Sequence, residues 1–432
     1  MEEKQSRNSR FVSIPGICCL LFFAVVAIYF HADMAAVFLL FLFLLCFGSW
    51  LWSRGVLKTV EFGAEAAQGF CYAGELLRLN LRVRNRSFFP LIWLDVILPT
   101  GRKPYVCPAG EQEVSWYFVH GETYAQTGIR ERFVWLLWQQ EICWEESLKT
   151  LRRGIVEIAG AGLQAGDGFG LSARETWYPF RVPVRLVIYP RLVPVAVQPF
   201  LKITQEAVAR SRGQTEDITI LKSSRPYRPG DPMKRINWRL LAGSGRMEVN
   251  VYETVMPGCA AFLLDLPSFR MEVEESGGQS TIRRMKLREQ ELEGMISLIA
   301  SCMNAVAEHG IAAALLIPAY GEREAVVCLP DQEETALTRC MEALAQIDYE
   351  AQDTSFPYEE FWRISHKLGN VYICTLSDER SGMDELAQRL GRSRGKYLCW
   401  KKTAVEMGEF DYLYAEDICL EQLETFKEVT AG

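Results

Sequence analysis

The sequence predicts an α/β protein in three parts: a transmembrane helical hairpin, an all-β sandwich-like domain, and a doubly wound parallel sheet. Two long apolar runs lie near the N-terminus, and short strands with period-two alternation fill the next part of the chain. After Gln198 the pattern changes to strands that alternate with helices, which is typical of a parallel sheet. We therefore expect a short N-terminal segment at 1–13, the helical hairpin at 14–52, the β-sandwich-like domain at 56–197, and the basic segment with the parallel sheet at 198–432.

The two apolar runs predict a helical hairpin that crosses a membrane twice. Residues 14–30 and 35–52 contain no charged side chain, and each run is near the lower end of the ~17–25 residues that a spanning helix needs. The flanking cations are Lys4, Arg7, Arg10, Arg54 and Lys58. Because positive charge favours the cytoplasmic side, we expect the N-terminus and the main body in the cytoplasm. A cleaved signal peptide is the alternative, but the second apolar run follows immediately.

Residues 56–197 have the pattern of an antiparallel β-sandwich or open barrel. Residues 77–84 alternate apolar and polar side chains, as a half-buried strand does. The other predicted strands are 91–98, 114–119, 132–138, 155–158 and 184–189. Residues 160–170 are rich in glycine but lack the Gly-Lys-Ser/Thr ending of a phosphate-binding loop, so we expect a loop between strands.

The remainder of the chain predicts a doubly wound sheet. Its expected strands are 260–264, 311–317, 371–376, 397–400 and 412–414, and its expected helices are 282–308, 334–347 and 383–390. In such sheets ligands bind at the carboxyl ends of the strands. Asp265 and the pair Ser377-Asp378 would lie at this edge.

Residues 225–246 form a basic segment in a chain whose net charge is -7. Its cations are Arg225, Arg228, Lys234, Arg235, Arg239 and Arg246, and its acid is Asp231. Pro229-Gly230 predicts a turn, and Asp231 and Pro232 favour the start of a helix. That helix would turn Ile236, Leu240 and Leu241 inward. The segment could bind an acidic protein surface, brace the fold internally, or bind anionic lipid or nucleic acid; no nucleic-acid motif accompanies it.

The supply of cysteine and histidine argues against a thiol or histidine-based catalytic site. The chain has 13 cysteines without a Cys-x-x-Cys pair, and four histidines that are far apart in sequence. Free buried thiols in a reducing compartment are the expected arrangement. A Ser/His/Asp triad or a histidine-rich metal site is therefore poorly supplied. Our expectation for the whole chain is a protein that is not an enzyme and has no cofactor.

A combination of motifs resembles the bacterial family called domain of unknown function 58. The shared residues are Tyr227, Pro229, Gly230, Asp231, Ile236, Asn237, Trp238 and Ala242, together with segments 167–171 and 189–191. This chain departs from the family at Lys234 and Gly243, where the family tends to have arginine. The candidate interaction residues are Tyr227, Pro229, Gly230, Asp231, Lys234, Arg235, Ile236, Asn237, Trp238, Arg239 and Ala242.

The resemblance implies a von Willebrand factor A-like sheet and a MoxR-type AAA+ ATPase as partner. It favours a non-catalytic adaptor in a bacterial cell membrane that serves protein complex assembly or envelope maintenance. Domains of this type often hold Mg²⁺ through an Asp-x-Ser-x-Ser loop. Here Pro267 and Phe269 replace both expected hydroxyl positions, which leaves at most a weak site of Asp265, Ser268 and Asp378. A magnesium-dependent hydrolase or transferase using Asp265 and Asp378 is the enzymatic alternative.

Overall fold

A computed structural model gives the chain as two compact units, Met1–Tyr189 (unit 1) and Pro190–Gly432 (unit 2). The residues that it describes are 6–8, 12–100, 105–109, 117–119, 122–124, 128–202, 216–254, 259–270, 279–320, 324–329, 335–347, 354–355, 361–362, 365, 368–378, 383–391, 394–403 and 411–420. The division falls after Tyr189 and not after residue 197. Val193 N–H donates to the Ser301 hydroxyl at 2.9 Å, and Phe200 contacts Phe262, so this stretch is part of unit 2.

Two apolar helices begin unit 1, α1 (Ile14–Tyr29) and α2 (Asp33–Gly55). The sequence predicts Asp33 in the connection between the two apolar runs, but Asp33 begins α2. Its negative charge there interacts favourably with the positive N-terminal end of the helix dipole. Among the described residues, α2 is the one helix long and apolar enough to cross a membrane. At 16 residues, α1 is shorter, so the double crossing stays a prediction.

The rest of unit 1 is β-structure. Its strands are β1 (Ser6–Asn8), β2 (Val60–Ala66), β3 (Phe70–Tyr72), β4 (Leu76–Asn85), β5 (Leu91–Pro99), β6 (Val106–Pro108), β7 (Tyr117–Val119), β8 (Glu122–Tyr124), β9 (Gly128–Leu136), β10 (Glu141–Thr150), β11 (Gly154–Gly166) and β12 (Ser172–Tyr189). One sheet has the order β1-β12-β11-β5-β9, with β3 also on β12, and another has the order β2-β4-β10-β6. Strands β7 and β8 pair separately.

The two larger sheets of unit 1 share one apolar core. Alternate residues of β4 are buried, which confirms the alternation read from residues 77–84. They join the inward side chains of β5 and β11, such as Leu94 and Leu163, in the same cluster. One face of each strand therefore supplies the core.

The glycine-rich segment is mostly strand, so the loop expected at 160–170 is shorter than predicted. Strand β11 continues to Gly166, and the loop is 167–171. A Cβ on Gly160 would lie 2.7 Å from the Trp177 ring, and one on Gly166 would lie 2.3 Å from the Trp93 ring. Because these two glycines have no side chain, the Trp177 and Trp93 rings can lie directly against the strand. Strand β9 ends at Leu136 and not at residue 138, and residues 114–116 of another expected strand lie outside the described part of the chain.

Unit 2 is a mixed α/β structure. Its elements are β13 (Glu216–Pro226), α3 (Trp238–Ser244), β14 (Glu248–Thr254), β15 (Cys259–Leu264), α4 (Gln279–Glu308), β16 (Ala312–Ile317), β17 (Ala319–Tyr320), β18 (Val326–Cys328), α5 (Thr335–Ala345), β19 (Thr354–Ser355), β20 (Asn370–Ser377), α6 (Asp384–Leu390), β21 (Gly395–Lys401), β22 (Tyr412–Tyr414) and α7 (Ala415–Ile418). The main sheet has the order β18-β16-β15-β20-β21-β22, and β13-β14 and β17-β19 are separate pairs. Within the main sheet β18 is antiparallel and the other pairings are parallel.

Helices cover both faces of this main sheet. On one face α4 approaches so closely that a Cβ on Gly294 would lie 2.3 Å from Trp400. The opposite face joins Leu263 and Ile373 to Leu386 of α6 in one buried cluster. All six residues of β15 are buried, as the continuous apolar run 260–264 predicts for a central strand.

A buried ion pair links two strands of unit 1. The side chain of Asp95 on β5 is fully buried, and its carboxylate accepts hydrogen bonds from Arg130 at 2.5 Å and from Arg132 at 2.5 and 2.7 Å. Burial by itself would raise the pKa of Asp95, but the hydrogen bonds and charges of Arg132 and Arg130 hold it below its ordinary value. The folded state therefore favours the ionised carboxylate.

We expect Asp95→Asn to lower the free energy of unfolding by about 1–2 kcal/mol at pH 7, because it removes charge-assisted hydrogen bonds to half-exposed arginines. Since the folded pKa lies below the unfolded value of about 3.9, this stabilisation is present above that pH and is lost as the pH falls through the folded pKa. Thermal unfolding of the purified chain from pH 7 downward would measure it. Glu145→Gln, which removes the exposed pair with Arg78, is the control. Equal losses in the two variants would contradict the prediction.

Candidate interaction site

The basic segment forms the connection between the paired strands β13 and β14. Pro226 and Glu248 are the last pair of the ladder, and Tyr227 N–H donates to the Met247 carbonyl at 3.0 Å. Residues 227–247 therefore form one closed structure on the end of a hairpin. We call it the hairpin loop.

An ion pair fixes the first half of the hairpin loop. The Arg225 guanidinium donates to both carboxylate oxygens of Asp231, at 2.8 and 2.6 Å, and Arg228 N–H donates to the same carboxylate at 2.8 Å. These bonds, first that of Arg225 and then that of Arg228, lower the pKa of Asp231 below its ordinary value. Gly230 has a φ of 106°, a backbone conformation that other residues rarely adopt.

Asn237 fixes the second half. Its side-chain oxygen accepts from Leu240 N–H at 3.1 Å and caps α3, while its amide donates to Asn250 on β14 at 3.0 Å. The prediction that Asp231 and Pro232 begin the helix is wrong. Asp231 is held by Arg225, a 3₁₀ turn follows at Met233–Arg235, and α3 begins at Trp238.

The predicted inward face of the helix is only partly present. Ile236 is buried and pairs with Val249, but it precedes α3. Leu240 is exposed, and α3 has no fully buried side chain. The cap at Asn237 determines where the helix begins, and a helix of seven residues is too short to bury an apolar face. Leu241 is half-buried, and the other side chains of α3 are exposed.

The hairpin loop exposes cations and large apolar side chains together. Its exposed cations without a salt bridge among the described residues are Arg228, Lys234, Arg239 and Arg246. Its exposed apolar side chains are Met233, Trp238, Leu240 and Met247. We call these eight side chains the basic–aromatic surface. Tryptophan, arginine and methionine are enriched at protein interfaces, so this composition is typical of a docking site.

The remaining candidate residues of the segment have local roles. Tyr227 and Arg235 are half-buried, and Ala242 is exposed on α3. Pro229 lies in the exposed turn that Gly230 completes.

The candidate metal residues lie at the carboxyl edge of the main sheet but bind protein groups. The Thr375 hydroxyl donates to the buried Asp265 carboxylate at 3.3 Å. The Ser268 hydroxyl donates to the Asp265 carbonyl at 2.7 Å and accepts from Leu376 N–H at 3.1 Å. Ser268 therefore fixes the turn after β15.

Asp378 follows β20 and is held by groups at the ends of the next two strands of the sheet, β21 and β22. Its carboxylate accepts from Thr403 N–H at 2.9 Å and from the Tyr414 hydroxyl at 3.1 Å. Burial would raise the pKa of Asp378, but the hydrogen bonds of Thr403 and then of Tyr414 lower it. In the described part of the chain, no three acidic, cysteine or histidine side chains form a group suited to a metal ion.

Another segment of the resemblance, residues 167–171, holds the end of α2. The Asp167 carboxylate is buried and accepts from the Ser49 hydroxyl at 2.5 Å, and the Ser172 hydroxyl lies 2.8 Å from that of Ser49. The N–H groups of Phe169, Leu171 and Ser172 also donate to this carboxylate. Sequence reasoning missed this contact. The glycines on either side of Phe169 were the available signal, because a short aspartate turn needs positive φ.

Sequence reasoning also missed the exposed methionines and the Asn237–Asn250 bond. Met233 and Met247 fall outside the motif, and their exposure depends on where the loop closes. An asparagine directly before a run of helix formers was a usable signal for the cap.

Comparisons with known proteins add no assignment. No family model and no curated protein matches the sequence. Among solved structures, the CARDB domain of a Pyrococcus furiosus protein aligns at 10% identity over 31% of this chain and 97% of its own, with a TM-score of 0.17. A Vibrio harveyi exo-β-N-acetylglucosaminidase of family GH20 aligns at 9% identity over 80% of this chain and 76% of its own, with a TM-score of 0.19. Scores this low support no conclusion about fold or activity.

We expect Asn237→Ala to loosen α3 without unfolding unit 2. Loss of an asparagine cap costs about 1 kcal/mol, which corresponds to roughly fivefold faster opening of the capped turn. Hydrogen exchange at Leu240 N–H, the capped donor, would measure this. Asn304→Ala, which removes an exposed bond to Glu308 on α4, is the matched control. Unchanged exchange at Leu240 would contradict the assigned cap.

Proposed function

We propose that this protein is a membrane-anchored adaptor that binds an acidic protein partner through its basic–aromatic surface. The observation that carries the proposal is the exposure of Arg228, Lys234, Arg239 and Arg246 beside Met233, Trp238 and Met247 on a closed loop. In a chain of net charge -7, such a surface attracts an acidic patch on another protein.

The anchor in this proposal is the α1–α2 pair, with the N-terminus and both units in the cytoplasm. The cations that flank the apolar segments support this orientation. Strand β1 pairs with the start of β12 through Asn8 and Ser172, and Ser49 of α2 contacts the same Ser172. Both ends of the pair therefore meet one end of unit 1, as a double crossing requires.

We further propose that unit 1 is a β-sandwich and unit 2 a von Willebrand factor A-like domain. Numbered along the chain, the main sheet of unit 2 has the order 3-2-1-4-5-6, a doubly wound arrangement. Ligands of such sheets bind beside the first and fourth strands, here β15 and β20. Asp265, Ser268 and Asp378 stand there, but their hydrogen bonds to protein groups favour an interaction role over magnesium-dependent catalysis.

The partner that best suits this proposal is a MoxR-type AAA+ ATPase, which the motif resemblance implies. The ion pair of Arg225 with Asp231 and the cap at Asn237 order the loop before binding, so less conformational entropy is lost on association. Trp238 would supply the central apolar contact and Arg239 a charge beside it.

Charge reversal tests the proposal directly. We expect Arg239→Glu to abolish co-purification of the full chain with the ATPase, while unfolding changes by less than about 0.5 kcal/mol, because Arg239 is exposed and forms no salt bridge with any residue that the structure describes. Trp238→Ala should weaken binding by at least 2 kcal/mol, as a central aromatic does, or roughly 30-fold in Kd.

The matched control is Arg283→Glu, an exposed arginine on α4 in the same unit. It changes the net charge equally and should leave binding intact. If Arg239→Glu and Arg283→Glu weaken binding equally, the effect is one of net charge and the docking site is elsewhere. If Arg239→Glu unfolds unit 2, the segment is a structural brace.

A further inference from the structure

One end of unit 1 carries three loops that each expose a large aromatic side chain. The loops are 86–90 between β4 and β5, 137–140 after β9, and 167–171 between β11 and β12. The exposed side chains on or beside them are Phe88 (84% exposed), Trp135 (61%), Trp138 (57%) and Phe169 (68%). We call this set the aromatic rim.

The register of the strands shows that these loops are neighbours. Leu91, at the start of β5, pairs with Leu136 at the end of β9, and Trp93 pairs with Gly166 at the end of β11. The buried Asn85 amide donates to the carbonyls of Phe89 at 2.9 Å and Leu137 at 3.2 Å. It therefore joins the first two loops directly.

The aromatic rim is held in place by its own backbone. Gln139 donates from its side chain to the Arg86 carbonyl at 3.1 Å. Trp135 and Gln139 have φ values of 63° and 56°, which are rare for residues other than glycine. Trp135 thus faces outward from a backbone conformation that departs from a regular strand at the end of β9.

The end of α2 is fastened to the same loops. The Trp52 ring N–H donates to the Pro90 carbonyl at 2.8 Å, and the Ser49 hydroxyl donates to Asp167. Ser49, Trp52 and Ser53 are buried. One face of the last two turns of α2 is therefore packed against the β-structure of unit 1, at the end that carries the aromatic rim.

The length of the helices sets how far this end lies from the bilayer. From Asp33 to Ser49, α2 rises roughly 24 Å at about 1.5 Å per residue, and the 16 residues of α1 span roughly the same distance. The hydrocarbon core of a bilayer is about 30 Å thick. Because the segment from Asp33 to Ser49 is shorter than this thickness, a crossing brings the end of unit 1 that holds Ser49 towards the interfacial layer.

We propose that the aromatic rim inserts into the headgroup and upper acyl region of the bilayer that α2 crosses. The occupant of this surface is the lipid interface, where tryptophan and other amphipathic rings are enriched. Arg54, whose guanidinium stacks 3.9 Å above Trp50, is exposed at the same helix end and suits contact with lipid phosphate. This inference rests on the proposed membrane anchorage and adds how unit 1 lies on the membrane.

Tryptophan quenching in the full chain tests the insertion. The protein is reconstituted into phosphatidylcholine–phosphatidylglycerol vesicles whose acyl chains carry bromine near the headgroup. We expect the double variant Trp135→Phe, Trp138→Phe to lose emission that bromine quenches and acrylamide does not. The control Trp238→Phe removes an equally exposed tryptophan of unit 2 and should lose emission that acrylamide quenches.

A gain-of-signal pair guards against altered folding. Phe88→Trp should add emission that bromine quenches, whereas Phe70→Trp, on β3 beside Tyr189 at the other end of β12, should not. If the emission of Trp135 and Trp138 is quenched by acrylamide alone, the rim lies in water and the inference is wrong. If neither agent quenches it, the rim is covered by protein or by a second copy, which also overturns it. Release of the chain from vesicles by alkaline carbonate would instead refute the membrane anchorage itself.

Discussion

The hydrogen bond between Ser49 and the buried Asp167 carboxylate is the constraint on which the arrangement of unit 1 depends. A buried charge is costly unless its hydrogen-bonding capacity is filled, and this carboxylate receives donors from α2, from its own loop and from the start of β12. If the loop or the helix end moved, the Asp167 carboxylate would lose hydrogen bonds or become exposed to solvent. The apolar helix and the β-structure are consequently joined at this point, and under the proposed membrane anchorage the direction of α2 determines which end of unit 1 faces the bilayer.

The hairpin loop of unit 2 uses the same chemistry in a different place. Asp231 receives the Arg225 guanidinium and a backbone N–H, next to a glycine of positive φ, as Asp167 lies beside Gly168. In both turns the carboxylate accepts hydrogen bonds that order the backbone, and the exposed side chains are cationic or apolar. The carboxylates of both turns therefore have a structural role among the described residues. Their lone pairs are already occupied by the protein, while the groups left free are suited to recognition.

The regular elements could be predicted from sequence because each depends on a local pattern. The alternation around Leu79 and the continuous apolar run at Phe262 give β4 and β15 with bounds within about a residue or two, the usual uncertainty at element ends. The sequence pattern places the start of α3 too early, because Asp231 is as good a cap by composition as Asn237 and only tertiary pairing with Arg225 removes it from that role. The extension of β11 through Gly166 depends on Trp93 crossing it, which no local pattern reveals. Exposure of Trp135 and Trp238 is likewise decided by packing.

The two exposed surfaces differ in chemistry, and the difference argues for different partners. Around Trp238 the apolar groups alternate with cations that lack a salt bridge among the described residues, so binding there gains from an acidic surface and weakens with salt. In the aromatic rim Phe88 and Phe169 lie in loops and Trp135 lies near the end of β9, and the cation of the first loop, Arg86, is paired with Glu61 at 3.0 Å. Aromatic rings whose loop cation is already paired gain little from an acidic protein but much from an interface that is apolar on one side. The exposed cations around Trp238 therefore favour an acidic protein, and the aromatic rings of the rim favour a lipid interface.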